Sequence, residues 1–202
     1  MYRKYGKRIL DILLSGIGLV LTAPVFLILA IWIKADSKGP VFFRQQRIGI
    51  RGTTFDIIKF RTMRSDTPAD VPTHLLRDSD QWITNAGRFL RKTSLDELPQ
   101  LVNILRGEMS IVGPRPALWN QYDLIALRDQ NGASDVLPGL TGWAQVNGRD
   151  SISLQKKAAL DGEYAEKLSF AMDIKCIWRT VSVVVTRKGY REGDKPDPHH
   201  KA

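Results

Sequence analysis

The segment Arg91-Lys-Thr-Ser-Leu-Asp-Glu-Leu-Pro-Gln100 carries two adjacent carboxylates, Asp96 and Glu97, just before a predicted helix start at Pro99. The free N–H groups and the positive dipole at a helix N-terminus favour an ionised carboxylate and also bind phosphate. An ionised aspartate can act as a nucleophile at phosphorus. A basic pair precedes the carboxylates and a Gly113-Pro-Arg-Pro116 turn follows them. The region therefore predicts a site for phosphate chemistry.

The same residues also have a purely structural interpretation. Ser94-Leu-Asp-Glu97 fits the S-x-x-E capping box, in which the glutamate bonds back to the helix start. Glu97 would then only cap the helix and Asp96 would only favour its first turn. Taken alone, the segment favours this capping interpretation, because acidic residues are common in first turns.

Length and composition indicate one domain with a polyanionic partner. The chain has 202 residues, and its 30 lysines and arginines exceed its 21 acidic residues to give a net charge of +9. Such a charge suits nucleic acid, an anionic membrane surface or phosphorylated substrates, and does not choose among them. The single cysteine, Cys176, excludes an internal disulfide and is predicted to be buried in a helix. The three histidines lack ligand spacing, so we expect no zinc site.

The strongest compositional feature is an uncharged run near the N-terminus. Ile12 to Ile33 contains 22 residues without a charge, and a straight helix of that length reaches roughly 33 Å, enough to cross a bilayer core. The run is longer than a signal-peptide core and is followed by no convincing cleavage site. We therefore expect a retained membrane element.

The path of this element through the membrane depends on Pro24 and on the flanking charges. Proline removes a helical hydrogen bond and bends the helix. Basic residues lie on both sides of the run, from Arg3 to Arg8 and from Lys34 to Arg51. The positive-inside rule then predicts that both ends are cytoplasmic, with a helix-break-helix that enters and leaves one leaflet. An ordinary kinked spanning helix remains the alternative.

A β-hairpin is predicted after the membrane element. Two apolar and aromatic runs, residues 39–49 and 54–63, are joined by Gly49-Ile-Arg-Gly52. Lys59 and Arg61 would share one face at period two and could point together at an anion. The polar, proline-punctuated residues 65–80 predict a loop.

Four helices are predicted in the remainder of the chain. They cover Asn85 to Lys92, Leu98 to Leu105 with an end near Gly107, Ala117 to Leu127, and Phe170 to Val185. The last has the strongest apolar stripe. Core packing and an interfacial position on the bilayer are two open explanations of that stripe.

The segment Pro138 to Arg149 predicts a binding loop. Its sequence, Pro-Gly-Leu-Thr-Gly-Trp-Ala-Gln-Val-Asn-Gly-Arg, combines three glycines with polar side chains and one tryptophan. Such a composition makes a poor helix or strand, and recognition often lies on loops of this kind. A surface turn with one anchoring tryptophan is the alternative.

Taken in order, these motifs resemble the bacterial sugar transferase family, the monotopic polyprenol-phosphate phosphoglycosyl transferases. The resemblance covers roughly residues 7 to 190, and this chain is similar to the smallest members, which are the catalytic core only. A serine often precedes the central proline in relatives, whereas this chain has Ala23. The motifs are Lys7-Arg8-x-x-Asp11, the apolar run with Pro24, Phe43-Arg-Gln-Gln-Arg-Ile-Gly49, Lys59-Phe-Arg-Thr-Met63, Ser94-Leu-Asp-Glu-Leu-Pro-Gln-Leu101, Val112-Gly-Pro-Arg-Pro116 and Pro138-Gly-x-Thr-Gly-Trp-Ala-Gln-Val-Asn-Gly-Arg149.

The resemblance implies a reaction and roles for several residues. A UDP-sugar would bind with Mg²⁺, Asp96 would attack the sugar-linked phosphorus and release UMP, and polyprenol phosphate would accept the phosphosugar. By similarity, Glu97 would assist as a metal or proton partner, and both carboxylates are candidate metal ligands. The implied substrate-binding residues are Arg91 and Arg115 as phosphate clamps, with Lys59, Arg61 and Arg149 on the substrate surface.

These inferences combine into one expected architecture. We expect an α+β, mostly helical fold with a re-entrant membrane helix, a small β-hairpin and amphipathic interfacial helices around a compact catalytic core. The expected divisions are an anchor over residues 1–36, a core over 37–190 that forms one structural unit with the anchor, and a polar tail over 191–202. The expected location is the cytoplasmic face of the bacterial inner membrane.

Two functions of other classes compete with this expectation. The net charge of +9 also suits a membrane-tethered nucleic-acid-binding module. The basic residues, however, surround a carboxylate pair that would repel a nucleic-acid backbone. A structural membrane scaffold is the other competitor, and it gives no purpose to the glycine-rich segment ending at Arg149.

Overall fold

The protein is α+β and mostly helical, as predicted, with about 60% of its residues in helices. The computed structural model describes residues 1–67, 81–148 and 151–186, with side chains as far as residue 182. Within these ranges, a π-helical turn over Tyr2–Gly6 precedes the first α-helix. The helices are α1 Lys7–Asp36, α2 Asn85–Thr93, α3 Gln100–Arg106, α4 Tyr122–Gln130, α5 Trp143–Val146, α6 Leu154–Glu166 and α7 Phe170–Thr186, and the strands are β1 Phe42–Ile48, β2 Thr54–Phe60, β3 Ser110–Val112 and β4 Gly139–Thr141.

The first helix, α1, is long and apolar enough to cross a membrane. No other helix among the described residues meets this criterion. It runs without interruption through Pro24, so the expected division into two helices at that residue is not observed. Nearby, the Thr22 hydroxyl donates to the Gly18 carbonyl at 2.6 Å. This hydroxyl bonds to the backbone of its own helix, and position 23 is alanine. The re-entrant path of this helix stays a prediction.

The polar start of α1 docks onto three distant elements. Each charged residue of the Lys7-Arg8-x-x-Asp11 motif contacts a different one, so the motif fixes the anchor to the rest of the fold. Lys7 Nζ contacts Asp173 Oδ2 of α7 at 2.7 Å, Arg8 donates to the Ile104 and Leu105 carbonyls of α3 at 2.5 and 2.8 Å, and Asp11 Oδ1 accepts from Ser110 Oγ and Ile111 N of β3 at 3.0 Å.

The other end of α1 packs against the hairpin and α2. Leu29 and Ile33 are buried in one cluster with Phe60, Ala86 and Leu90. The C-terminal end of α1 therefore shares a core with β2 and α2, where burial of each large apolar side chain stabilises the fold by about 1.5–3 kcal/mol.

The predicted hairpin is confirmed. Strands β1 and β2 pair in antiparallel register from Phe42–Phe60 to Ile48–Thr54. The connection passes through Arg51 and Gly52, whose φ angles are +51° and +74°. Positive φ is unstrained at glycine, which fits its place at the turn.

Residues 138–148, the described part of the predicted binding loop, do not form the irregular loop that their composition predicts. It contains β4, which pairs in parallel with β3, and the short helix α5. A Cβ on Gly139 would lie 2.1 Å from the Gly113 nitrogen, and one on Gly142 would lie 2.0 Å from the Gly113 oxygen. The glycines therefore permit close backbone packing between strands. Trp143 is buried, and its Nε1 donates to Glu163 at 2.9 Å.

Helices α2 and α3 are confirmed, including the end of α3 at Gly107, but α4 begins five residues later than predicted. Residues 117 and 118 are held in extended backbone against β1, because Ile48 N donates to the Ala117 carbonyl and Arg47 bridges Leu118. A helix cannot include residues that are already paired with a strand. The sequence also suggests an apolar stripe at residues 118, 119, 122, 125 and 126, but the buried residues of α4 are Leu124 and Arg128.

The apolar stripe of α7 faces outward along its described side chains. Phe170, Ile174, Trp178 and Val181 are 52, 49, 77 and 55% exposed. Core packing therefore fails to explain these four residues, and an interfacial position remains. Cys176 lies on the opposite side of the helix and is fully buried, as predicted, and its burial raises the pKa of the thiol to about 12.

The ion pair between Lys7 and Asp173 lies at the junction of α1 and α7. Both side chains are largely buried, with 11 and 6% of their surface exposed. Asp173 also accepts hydrogen bonds from the hydroxyls of Tyr2 and Tyr164. Asp173 thus has three hydrogen-bond partners, of which only Lys7 carries the positive charge that balances the buried carboxylate.

We predict that Lys7→Met destabilises the protein by about 3 kcal/mol, because it leaves a buried carboxylate without its cation. Denaturant unfolding in detergent micelles measures this loss. Lys167→Met is the control, since it removes an exposed ion pair with Glu163 and is expected to cost about 0.5 kcal/mol or less. Equal effects of the two substitutions would contradict a structural role for the buried pair.

Candidate active site

The two carboxylates lie in a 3₁₀ turn, Leu95–Glu97, between α2 and α3. The preceding Ser94 has a φ of +57°, which ends α2 and turns the chain. The Ser94 side chain makes no capping hydrogen bond, and the Glu97 carboxylate is bonded to other side chains. The capping-box interpretation is therefore wrong in this structure.

Glu97 is held between two cations from distant segments. Its Oε1 accepts from Lys59 Nζ of β2 at 2.7 Å and from Arg115 at 2.9 Å. The exposed side-chain fractions are 15% for Glu97, 16% for Lys59 and 36% for Arg115. Burial raises the pKa of Glu97, but Arg115 and Lys59 outweigh this effect and hold the pKa well below its usual range. Glu97 is therefore ionised and fixed in position.

Asp96 has a different environment from its neighbour. It is half-buried and accepts no hydrogen bond from any residue that the structure describes. Burial raises the pKa of Asp96, and the charge of Glu97 adds to this effect, while Lys59, Arg91 and Arg115 oppose it. Adjacent carboxylates whose pKa values are shifted in opposite directions are suited to different chemical tasks.

Three of the predicted cations gather around this pair. Lys59 and Arg115 contact Glu97, and Arg91 contributes its positive charge at Asp96 while its Nε donates to Thr62 Oγ1 at 2.9 Å. Burial lowers the pKa of Lys59, and the charge of Glu97 opposes that shift. The arrangement concentrates positive charge in a partly desolvated site, where electrostatic interactions are stronger than in water.

Arg61 does not join this group, contrary to the expectation that it converges with Lys59. Its guanidinium donates to the Ser37 carbonyl at 2.8 Å and to those of Ile33 and Lys38. These carbonyls lie in the last turn of α1 and just after it, where the negative end of the helix dipole favours a cation. Arg61 therefore binds the C-terminal end of α1 and does not contact the carboxylates. Arg149 lies outside the described residues.

Arg47 is a cation near the site that was not among the predicted site residues. Its guanidinium donates to the Pro116 carbonyl at 3.1 Å and to Gln45 Oε1 at 2.6 Å. Burial and the charge of Arg115 lower the pKa of Arg47 to about 10, and Glu97 opposes this shift. The hairpin register could have revealed it. Phe43 pairs with Lys59, so every second residue of β1 from Phe43, including Arg47, shares the face of Lys59.

The carboxylates are compatible with a divalent cation that binds together with a phosphorylated substrate. No cluster of three or more acidic, histidine or cysteine side chains with metal-site geometry occurs within residues 1–67, 81–148 and 151–186. Mg²⁺ commonly uses only one or two carboxylates, with substrate phosphates and waters as its other ligands. Asp96 and the second oxygen of Glu97 accept no hydrogen bond from described residues, so the donor set fits such an ion.

Comparison with known proteins shows the family of this chain. The model of the bacterial sugar transferase family matches residues 2–187. The uncharacterized sugar transferase EpsL of Bacillus subtilis is 40% identical over 92% of this chain and 90% of its own length. The UDP-glucose:undecaprenyl-phosphate glucose-1-phosphate transferases of Caulobacter vibrioides and Escherichia coli are each 41% identical, over 89 and 87% of this chain and 70 and 39% of their own lengths. The chain therefore belongs to the bacterial sugar transferase family and is a transferase.

Proposed function

We propose that this transferase moves a sugar-1-phosphate from a UDP-sugar to polyprenol phosphate at the cytoplasmic face of the bacterial inner membrane. The products would be UMP and a polyprenol diphosphate sugar. Two of the similar proteins have names that specify this type of donor and acceptor. The observation that carries the proposal is Asp96, a carboxylate without a described hydrogen-bond partner beside a Glu97 that is fixed by two cations.

The proposed chemistry has two displacement steps at one phosphorus atom. A carboxylate oxygen of Asp96 attacks the phosphorus that carries the sugar, and the bond from that phosphorus to the bridging oxygen breaks. UMP leaves with that oxygen, and the phosphosugar is esterified to Asp96. An oxygen of polyprenol phosphate then attacks the same phosphorus and restores the Asp96 carboxylate.

The surrounding residues have complementary roles in this proposal. Lys59, Arg91 and Arg115 balance the negative charge of the diphosphate and stabilise the charge that develops on the leaving phosphate. Glu97 fixes the positions of Lys59 and Arg115 through its hydrogen bonds. Asp96 and Glu97 would hold Mg²⁺ with the diphosphate, and the bound ion would shield the phosphorus from the charge of its attacker.

The apolar surfaces fit an acceptor whose chain remains in lipid. The uncharged helix α1 and the exposed apolar stripe of α7 (Phe170, Ile174, Trp178 and Val181) are both suited to contact a bilayer. We propose that α7 lies at the membrane interface, which would bring the carboxylates to the level of the acceptor phosphate. The nucleic-acid-binding alternative is not supported, because Lys59 and Arg115 are engaged with a carboxylate.

Release of UMP from a panel of UDP-sugars in the presence of polyprenol phosphate tests the overall reaction. We predict that UDP-sugar alone, with Mg²⁺, leaves a phosphosugar ester on the protein and releases about one UMP per active site. Asp96→Asn should abolish the adduct, because a neutral amide is a very poor nucleophile. Glu97→Gln should slow labelling and still permit it. Intact-protein mass spectrometry measures the adduct.

Direct attack by the acceptor phosphate gives the opposite result in this experiment. Both carboxylates would then only hold the metal, and no UMP would appear before acceptor is added. An active enzyme that shows neither the adduct nor early UMP would refute the covalent mechanism and leave the overall reaction intact.

We predict that Arg115→Ala lowers turnover by roughly tenfold to a thousandfold, as expected for deletion of a group that stabilises the transition state. Arg51→Ala is a matched control, because Arg51 forms an exposed ion pair with Asp135. The control should retain wild-type turnover, and both variants should fold and extract from membranes normally. Full activity of Arg115→Ala would leave the Pro-Arg-Pro turn with a structural role only.

The re-entrant topology predicts that tags at both ends are accessible only from the cytoplasmic side. Pro24→Leu should favour a straight spanning helix and bring the N-terminus to the outer face, because leucine supplies the backbone N–H that proline lacks. Membrane-impermeant labelling of terminal cysteines in spheroplasts measures this, with Val25→Leu as the neighbouring control. A wild-type N-terminus labelled from outside would establish the spanning alternative.

A further inference from the structure

The turn that carries Arg115 is held by its backbone carbonyls. Four consecutive carbonyl groups each accept a hydrogen bond from a different residue, and the donors come from three separate parts of the chain. Pro114 O accepts from Gly139 N at 2.8 Å, Arg115 O from an Arg128 guanidinium nitrogen at 2.9 Å, Pro116 O from an Arg47 guanidinium nitrogen at 3.1 Å, and Ala117 O from Ile48 N at 3.0 Å.

This pattern follows from the sequence of the turn. Pro114 and Pro116 have no backbone N–H, so the turn cannot be fixed by donating from these two residues. All four carbonyls of the turn accept hydrogen bonds, two of them from arginine side chains. Arginine suits this task, because its planar guanidinium presents several donors in a fixed geometry.

Arg128 connects the turn to the helical part of the fold. Arg128 in α4 and Asp161 in α6 are only 6 and 1% exposed. Two guanidinium nitrogens of Arg128 donate to Asp161 Oδ2 at 2.9 and 2.5 Å, and a third donates to the Arg115 carbonyl. The buried carboxylate therefore sets the orientation of the guanidinium, and the guanidinium sets the position of the Arg115 backbone.

Arg47 connects the same turn to the hairpin. One of its guanidinium nitrogens binds the Pro116 carbonyl and another binds Gln45, on the same strand. The hairpin also carries Lys59, which contacts Glu97 together with Arg115. Arg47 therefore holds the turn that carries Arg115 against the hairpin that carries Lys59.

We propose that Arg47 and Arg128 are positioning residues that hold the Pro114–Ala117 backbone so that the Arg115 guanidinium meets the substrate diphosphate. This inference rests on the proposed role of Arg115 in diphosphate binding. Misplacement of a catalytic group by about 1 Å can cost a hundredfold in rate. Small losses of backbone order at this turn should therefore have measurable effects on diphosphate binding.

A double-mutant cycle tests the proposal. The variant Arg128→Lys keeps a positive charge beside Asp161 and loses the fork that also reaches the Arg115 carbonyl. The probe is UDP with Mg²⁺, and its dissociation constant is measured by calorimetry, which needs no turnover. We expect Arg128→Lys and Arg47→Lys each to weaken UDP binding about tenfold in the wild-type background, and less than twofold in the Arg115→Ala background.

Arg8→Lys is the matched control for this cycle. Arg8 also donates to two backbone carbonyls, those of Ile104 and Leu105, but it binds the end of α3 and not the turn. Its effect on UDP binding should be the same with and without Arg115. Thermal unfolding of every variant reports any loss of stability separately from the change in UDP affinity.

The outcomes separate this proposal from the proposed function. Arginine variants that weaken UDP binding equally in both backgrounds would refute the positioning role, and so would variants that bind UDP as the wild type does. Wild-type affinity in Arg115→Ala would refute it as well, since there would be no binding role to support. A wild-type enzyme that binds UDP and transfers no sugar phosphate would refute the proposed function, and the cycle would still decide the positioning role.

Discussion

The contact of Glu97 with Lys59 and Arg115 is the interaction on which the geometry of the site depends. It joins three segments that are far apart in the chain: strand β2, the turn before α3 and the Pro-Arg-Pro turn. A carboxylate removed from water in this way needs cations, and the cations need the carboxylate, because an unpaired buried charge costs several kcal/mol. The three segments are therefore fixed relative to one another before any substrate binds. Such preorganisation is what electrostatic stabilisation of a transition state requires.

The same contact explains why two neighbouring carboxylates differ. Glu97 is occupied by the cations, so its pKa is held low and its position is set. Asp96 receives the positive field of the same cations without a hydrogen bond from a described residue, and its burial raises its pKa. A carboxylate that is poorly solvated and weakly bonded is more reactive toward an electrophile than one that is fully hydrogen-bonded. The pair is thus suited to a division between a reactive group and a supporting group, and the proposed mechanism gives the first role to Asp96 and the second to Glu97.

Features that depend on local sequence could be predicted, and features that depend on distant partners could not. The hairpin, α2 and α3 follow from strand and helix patterns and from Gly107 at a helix end, and all three are confirmed. The start of α4 could not be located, because the pairing of Ala117 and Leu118 with β1 overrides a helical pattern. The role of Arg61 was also hidden, since its partners are carbonyls of α1, more than 20 residues away. Glycine-rich residues 139–142 suggested a loop because composition alone cannot distinguish flexibility from close backbone packing.

The contacts of Arg61 connect the apolar helix α1 to the candidate site. Lys59 and Arg61 are alternate residues at the end of the hairpin, so about 7 Å of strand separates them along the chain. Lys59 contacts the carboxylate of the site, and Arg61 contacts the carbonyls at the end of α1. Asp36 of α1 adds a second link, since it accepts from the Ala86 nitrogen at the start of α2, the helix that leads into the carboxylates. Two short, rigid connections therefore join the end of the apolar helix to the two sides of the site. If the acceptor is lipid-linked, as we propose, its phosphate lies at a fixed depth, and these connections would hold Asp96 and Glu97 at a fixed distance from the end of the apolar helix.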